Sequence, residues 1–191
     1  MTRQYTKQDV VNWFDDYSHH ISHVIVAHTH IRPVAANKQL GTFERFQRYC
    51  LDKTSNSLRY ALNCLDAKLY HNQSNKVKRN KSEFKPLTFV TIEGARETTD
   101  SAQTVHVNIM MGNLPSTMST QELERLFRWA WVTKAQQRDD IFVASYKHEH
   151  GKFSGYILKE TDKDKRLVWG DNSIIDIVNC WIPRKALTQT Q

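Results

Sequence analysis

Two apolar, β-branched segments, residues 87–93 (LTFVTIE) and 104–111 (TVHVNIMM), flank the stretch Gly94-Ala95-Arg96-Glu97-Thr98-Thr99-Asp100-Ser101. Runs of that composition read as strands, and the glycine-led polar stretch between them reads as a turn. Together they predict an antiparallel hairpin in the middle of the chain. A hairpin is marginal in water by itself, so this one commits the chain to a larger sheet with something packed on it.

The flanking sequence supplies the rest of that sheet and its cover. Thr6 to Tyr17 reads as a helix. Thr6 is positioned as its cap, Asp9 lies at the third helical position, and Val10, Val11, Trp13, Phe14 and Tyr17 recur at helical spacing. His23-Val24-Ile25-Val26-Ala27-His28 reads as a strand ended by Pro33 and Ala35-Ala36-Asn37-Lys38. Thr42 to Tyr70 is helical in pattern, and Thr54-Ser55-Asn56-Ser57 is expected to divide it into two helices. Residues 71–83 are polar and basic and read as a loop. Ser119 or Thr120 is placed to cap a helix carrying Leu123, Leu126, Phe127, Ala130 and Trp131. Ile141 to Tyr146 reads as a strand and Phe153 to Lys159 as a short helix; Val168-Trp169 and Ile174 to Trp181 supply late strands. The fold class is therefore α+β, a central, mostly antiparallel five-stranded sheet flanked by helices.

The chain has 191 residues, 39% of them hydrophobic and 25% charged. That suits one globular domain over residues 1–191, with a core over about 22–181. No apolar run is long enough to span a bilayer, so no membrane association is expected. The start, MTRQYTKQDVVNW, has no apolar signal-peptide core, and a cytoplasmic location is expected. Cys50, Cys64 and Cys180 are odd in number and form no CxxC pair, so they read as free thiols in a reducing compartment. The net charge of +7 favours phosphate-bearing partners.

The residues suited to chemistry fall in two places. Side chains alternate along a strand, so His106 and Asn108 share a face, about 7 Å apart along it. Glu93, at the end of the preceding strand, can face them across the hairpin. A carboxylate, an imidazole and an amide oxygen form a mostly hard ligand set, suited to Mg²⁺ or Mn²⁺ more than to a structural zinc. Tyr156 and Lys159 lie three apart on the short helix, hence on one face. A phenol with a pKa of ~10 is a poor nucleophile at neutral pH, and a nearby cation lowers the barrier to its attack on phosphate. His28 and His30 form a second pair on one strand face, as alternative ligands or DNA contacts. Tyr146 reads as a strand residue near the site, and Tyr49 and Tyr60 as core residues of a helix. Only Tyr156 has the downstream lysine.

The ordered set Glu93, His106-Val107-Asn108 and Tyr156-Ile157-Leu158-Lys159 resembles the three-motif pattern of the HUH endonucleases. In that family two histidines separated by a hydrophobic residue bind a metal ion, an acidic residue completes the site, and a YxxK helix carries the nucleophile. The chain looks most like the single-tyrosine replication-initiator (Rep) nucleases of rolling-circle plasmids, phages and small DNA viruses. Val24-Ile25-Val26-Ala27-His28-Thr29 lies where the family's first motif lies, and the resemblance spans residues 22–181. Asn108 stands where the family's second histidine would be; some members use an amide there.

The resemblance implies metal-dependent, site-specific nicking and joining of single-stranded DNA through a 5′-phosphotyrosine. Tyr156 and Lys159 would be catalytic, and Glu93, His106 and Asn108 would hold Mg²⁺ or Mn²⁺. The expected partner is single-stranded or hairpin DNA at an origin, in a bacterial plasmid- or phage-encoded setting. Arg32, Lys38, Lys76, Lys78, Arg79, Lys81, Lys147 and Lys152, with His28 and His30, are the expected DNA contacts. No GxxxxGK[ST] motif occurs, so the chain has no helicase domain and a separate helicase would serve it. A single-tyrosine transposase or mobilisation relaxase is the nearest alternative. A non-catalytic single-stranded nucleic-acid-binding module is the alternative of another class, and it needs no metal.

Overall fold

The structure is a computed structural model that describes residues 6–33, 43–70, 85–95, 102–147 and 175–183. The elements are α1 (Lys7–Asp16), a 3₁₀ turn (Ser18–His20), β1 (Ile21–His28), α2 (Phe43–Leu69), β2 (Leu87–Glu93), β3 (His106–Gly112), α3 (Thr120–Arg128) and β4 (Ile141–Ser145). A π-helical turn, Trp129–Lys134, continues α3.

Helix starts follow the local sequence. The Thr6 hydroxyl accepts the Asp9 N–H at 3.2 Å, and the Asp9 carboxylate accepts the Thr6 N–H at 2.8 Å, a reciprocal capping box. Ser119 caps α3 by accepting the Glu122 N–H at 3.1 Å.

The strands form one antiparallel sheet in the order β2-β3-β1-β4. The hairpin expected at residues 87–111 is β2–β3. Because β1 and β2 both run antiparallel to β3, α2 is a crossover between parallel strands; α3 connects β3 to β4 in the same way. Two interlocked βαβ units result, the split-βαβ connectivity.

That connectivity puts α2 and α3 on one face of the sheet. There Ile25, Ala27, Val90, Ile92, Val107, Ile109 and Met111 pack on Leu58, Ala61, Leu65, Leu123, Phe127 and Trp131. On the other face α1 covers one end only. Val10, Val11 and Phe14 pack on Val24, Phe89 and Met110, with the Phe14 and Phe89 rings 4.5 Å apart. The far end of that face carries the polar residues described below.

Three expectations are corrected. First, α2 runs unbroken through Thr54-Ser55-Asn56-Ser57. Such residues compete with the helix by bonding its backbone, but here Ser55 and Ser57 bond distant segments instead. Thr54 is buried, the Ser55 hydroxyl donates to Asp176 at 3.0 Å, and the Asn179 amide donates to the Ser55 carbonyl at 2.9 Å. Second, the sheet among the described residues has four strands, not five. Residues 175–181 form no continuous ladder with β2, pairing with it by isolated bridges at Thr91↔Ile175 and Thr88↔Trp181. Between them a turn closes, with the Asn179 and Cys180 N–H groups both donating to the Asp176 carbonyl at 3.1 Å, and this interrupts the ladder. Val168-Trp169 and the short helix at 153–159 lie outside the described residues. Third, Tyr49 and Tyr60, expected in the core, are exposed on α2.

Candidate metal and DNA site

The register of the sheet lays the polar residues out in rows. Glu93 on β2 is opposite His106 on β3, which is opposite His28 on β1. One row inward, Thr91, Asn108, Val26 and Phe142 align across all four strands. The next row, Phe89, Met110, Val24 and Ala144, is the one α1 covers. Directly paired residues share a face, so Glu93, His106, His28, Thr91, Asn108 and Phe142 all lie on the face on which α1 packs one or more rows away.

Glu93 is fully buried, and its Oε2 lies 3.5 Å from His106 Nε2. Thr104 governs the two imidazoles. Its hydroxyl is 2.8 Å from His28 Nδ1, and its carbonyl is 3.4 Å from His106 Nδ1. The His28 and His106 rings stack at 5.0 Å, inclined by 24°. A carbonyl only accepts, so this contact places a proton on His106 Nδ1. The lone pair of Nε2 then faces the Glu93 carboxylate. A cation lying between the two would be met by both.

Asn108 is buried, and its amide nitrogen donates to Thr91 Oγ1 at 3.3 Å. Its Oδ1 has no hydrogen-bond partner among the described residues. A buried acceptor without a donor costs about 1–3 kcal/mol. An orphaned amide oxygen beside a carboxylate–imidazole pair fits a hard divalent cation. Among the described residues no group of three or more His, Cys, Asp or Glu side chains is gathered for a metal ion, so the set reaches three only through the amide.

Backbone features hold this end of the sheet. Gly94 follows β2 at φ +76°; a Cβ there would lie 2.5 Å from the Thr104 carbonyl oxygen and 3.2 Å from His106 Nδ1. Thr29 extends β1 past its end, its N–H and hydroxyl donating to the Val105 carbonyl at 2.9 and 2.7 Å. The Trp131 indole N–H, carried inward by the π-helical turn, donates to the His28 carbonyl at 3.0 Å. Burial, and then the neighbouring His106, pull His28 below the ordinary histidine value, while Asp140 acts the other way. His28 is therefore neutral near pH 7.

The sequence candidates fare unevenly. Glu93, His106 and Asn108 share the predicted face, and His28 joins their edge of it. His30 lies past the end of β1, exposed, so the expected His28–His30 pair is split. Arg32 is exposed beyond the His28 end of β1. Lys147 is exposed beyond Ser145, which pairs with His23 at the opposite end; these two cations do not form one patch. Tyr146 follows Ser145 at that same opposite end, against the cluster that α1 covers, and away from the row of His28 and His106. Burial, and then Asp15, push its phenol upward. Tyr156, Lys159, Lys38, Lys76, Lys78, Arg79, Lys81 and Lys152 lie outside the described residues.

Thr104, Gly94, Trp131 and Phe142 were not read as site residues from the sequence. Only Gly94 had a signal, a glycine closing a strand. The other three gain their place from cross-strand register and from packing between distant segments.

Cys50, Cys64 and Cys180 are free thiols, and burial pushes Cys50 up to about 11 and Cys180 up to about 12. Neither is a thiolate near neutral pH. Among the described residues no helix is long and apolar enough to cross a membrane. Comparison with protein-family models, with curated proteins and with solved structures finds no match to this chain.

Proposed function

We propose that this chain is a metal-dependent nuclease and strand-joining enzyme acting on single-stranded DNA. The observation that carries the reading is the row Glu93–His106–His28 with the orphaned Asn108 oxygen beside it. It is a cluster of a buried carboxylate, a buried amide and two half-buried imidazoles that share one positioning residue. Glu93, His106 and Asn108 would hold Mg²⁺ or Mn²⁺. Such an ion, when bound, supplies Lewis-acid polarisation of the scissile phosphate.

The chain's own residues do the rest. The Tyr156 phenolic oxygen attacks phosphorus, the phosphorus–O3′ bond breaks, and a 5′-phosphotyrosyl DNA and a free 3′-hydroxyl result. The phenol gives up its proton and the departing 3′ oxygen gains one. Lys159, three residues on, positions the phosphate. Attack by a later 3′-hydroxyl reverses the step and rejoins the strand. Tyr156 and Lys159 enter from the sequence pattern alone. Replication initiation at a plasmid or phage origin is the setting we favour. A single-tyrosine transposase or relaxase would use the same chemistry, and any unwinding would fall to a separate helicase.

Isothermal titration of the purified chain with Mn²⁺ tests the site. One-site binding that is lost in Glu93→Gln and in His106→Ala is expected. Equal Mn²⁺ binding by wild type and both variants would refute it. A second reading, a binding module without catalysis, is favoured by one observation, the exposed Phe142 ring on the sheet face. Tight DNA binding unaffected by EDTA, with no covalent adduct, would select it.

A further inference from the structure

Phe142 presents a large apolar ring to solvent, with 60% of its surface accessible. It sits on β4 opposite Val26, in the row that continues through Asn108 to Thr91. Strands lie 4.7–4.9 Å apart, so the ring stands about 10 Å across the sheet from Asn108. The helices α2 and α3 pack on the other face, and α1 stops one row away. Nothing in the core requires an aromatic here: Val26 beside it is half-buried, and Val143, the next residue, takes the inward position against α3.

We infer that Phe142 is a stacking platform for an unpaired DNA base adjacent to the scissile phosphate. This rests on the single-stranded DNA part of the function proposed above. An exposed ring offers a nucleobase a π-face regardless of base identity, a contact open to single strands and closed to a paired, stacked duplex. The net charge of +7 supplies the complementary attraction for the phosphate backbone, and the exposed Arg32 lies beyond the His28 end of the same sheet. Ring and histidine row together set a direction: the backbone crosses the sheet from β4 toward β3, one base resting on Phe142 while the next phosphate reaches His28 and His106.

Fluorescence anisotropy in EDTA, with a labelled oligothymidylate and with an abasic strand of equal length, separates stacking from phosphate attraction. Phe142→Ala should weaken oligothymidylate binding roughly ten-fold or more while leaving abasic-strand binding unchanged, and Phe142→Trp should restore the wild-type preference. Unchanged oligothymidylate affinity in Phe142→Ala overturns the inference, and so does an equal loss on both strands. Metal-dependent adduct formation at saturating DNA reads the nuclease function separately. An inactive wild type with Phe142-dependent binding sinks the nuclease and keeps the platform. An active wild type indifferent to Phe142 does the reverse.

Discussion

Thr104 holds two imidazoles with two different groups, its hydroxyl toward His28 and its carbonyl toward His106. The carbonyl can take that position only because Gly94 leaves room for it. Gly94→Ala would put a methyl 2.5 Å from that oxygen at a backbone φ of +76°. A loss of about 1–3 kcal/mol in urea unfolding is expected, with weakened Mn²⁺ binding because the His106 ring must shift. Wild-type stability and affinity in this variant would refute the positioning role. His23 behaves differently. It is buried on the α3 side, with its ring nitrogens 2.9 Å from the Ser22 hydroxyl and 3.2 Å from the Thr120 hydroxyl. Burial pulls it below its ordinary 6.5, as burial does first for His20 and His28. As pH falls through about 6.5, the unfolded chain takes up protons that the folded chain resists, so stability declines on acidification. The melting temperature should be lower at about pH 5.5 than at about pH 7.5, with a flatter slope in His23→Gln. A melting temperature that rises on acidification would contradict this.

The elements that local sequence specifies were readable from it. The capping box of α1, the Ser119 cap of α3 and the β2–β3 hairpin each depend on residues within a few positions, and all three are present. The continuity of α2 was not readable, because Ser55 is held in the helix by Asp176 and Asn179, more than a hundred residues away. The late strand failed for the related reason that Asp176 and Asn179 close a turn of their own. The site divides in the same way. Strand alternation suffices to put His106 and Asn108 on one face. The alignment of His28 with them, and the misplacement of Tyr146, follow from which strands pair and in what register. The helix α1 is an addition to the split-βαβ core, and it stabilises the second face through Phe14. Phe14→Ala should cost about 3–5 kcal/mol in denaturant unfolding. A cost near zero would mean that α1 is only loosely docked.

At the level of the molecule, and among the described residues, two crossover helices pack on one sheet face and α1 packs on one end of the other, whose far end carries the buried polar row. That division separates the apolar work of folding from the place where a charged ligand can be met. The basic run at residues 76–81 of the sequence carries a prediction of its own. Replacing Lys76, Lys78, Arg79 and Lys81 together should flatten the salt dependence of DNA binding, since a phosphate that no side chain neutralises keeps its condensed counterions; an unchanged slope would take those residues out of the interface. The central claim is the chemistry itself, and a denaturing gel of the chain mixed with labelled single-stranded DNA, in Mn²⁺ or in EDTA, tests it most directly. The account predicts a covalent protein–DNA band that requires Mn²⁺ and disappears in Tyr156→Phe and in His106→Ala. A band that persists in EDTA or in Tyr156→Phe, or no band with any single-stranded or hairpin substrate, would contradict it.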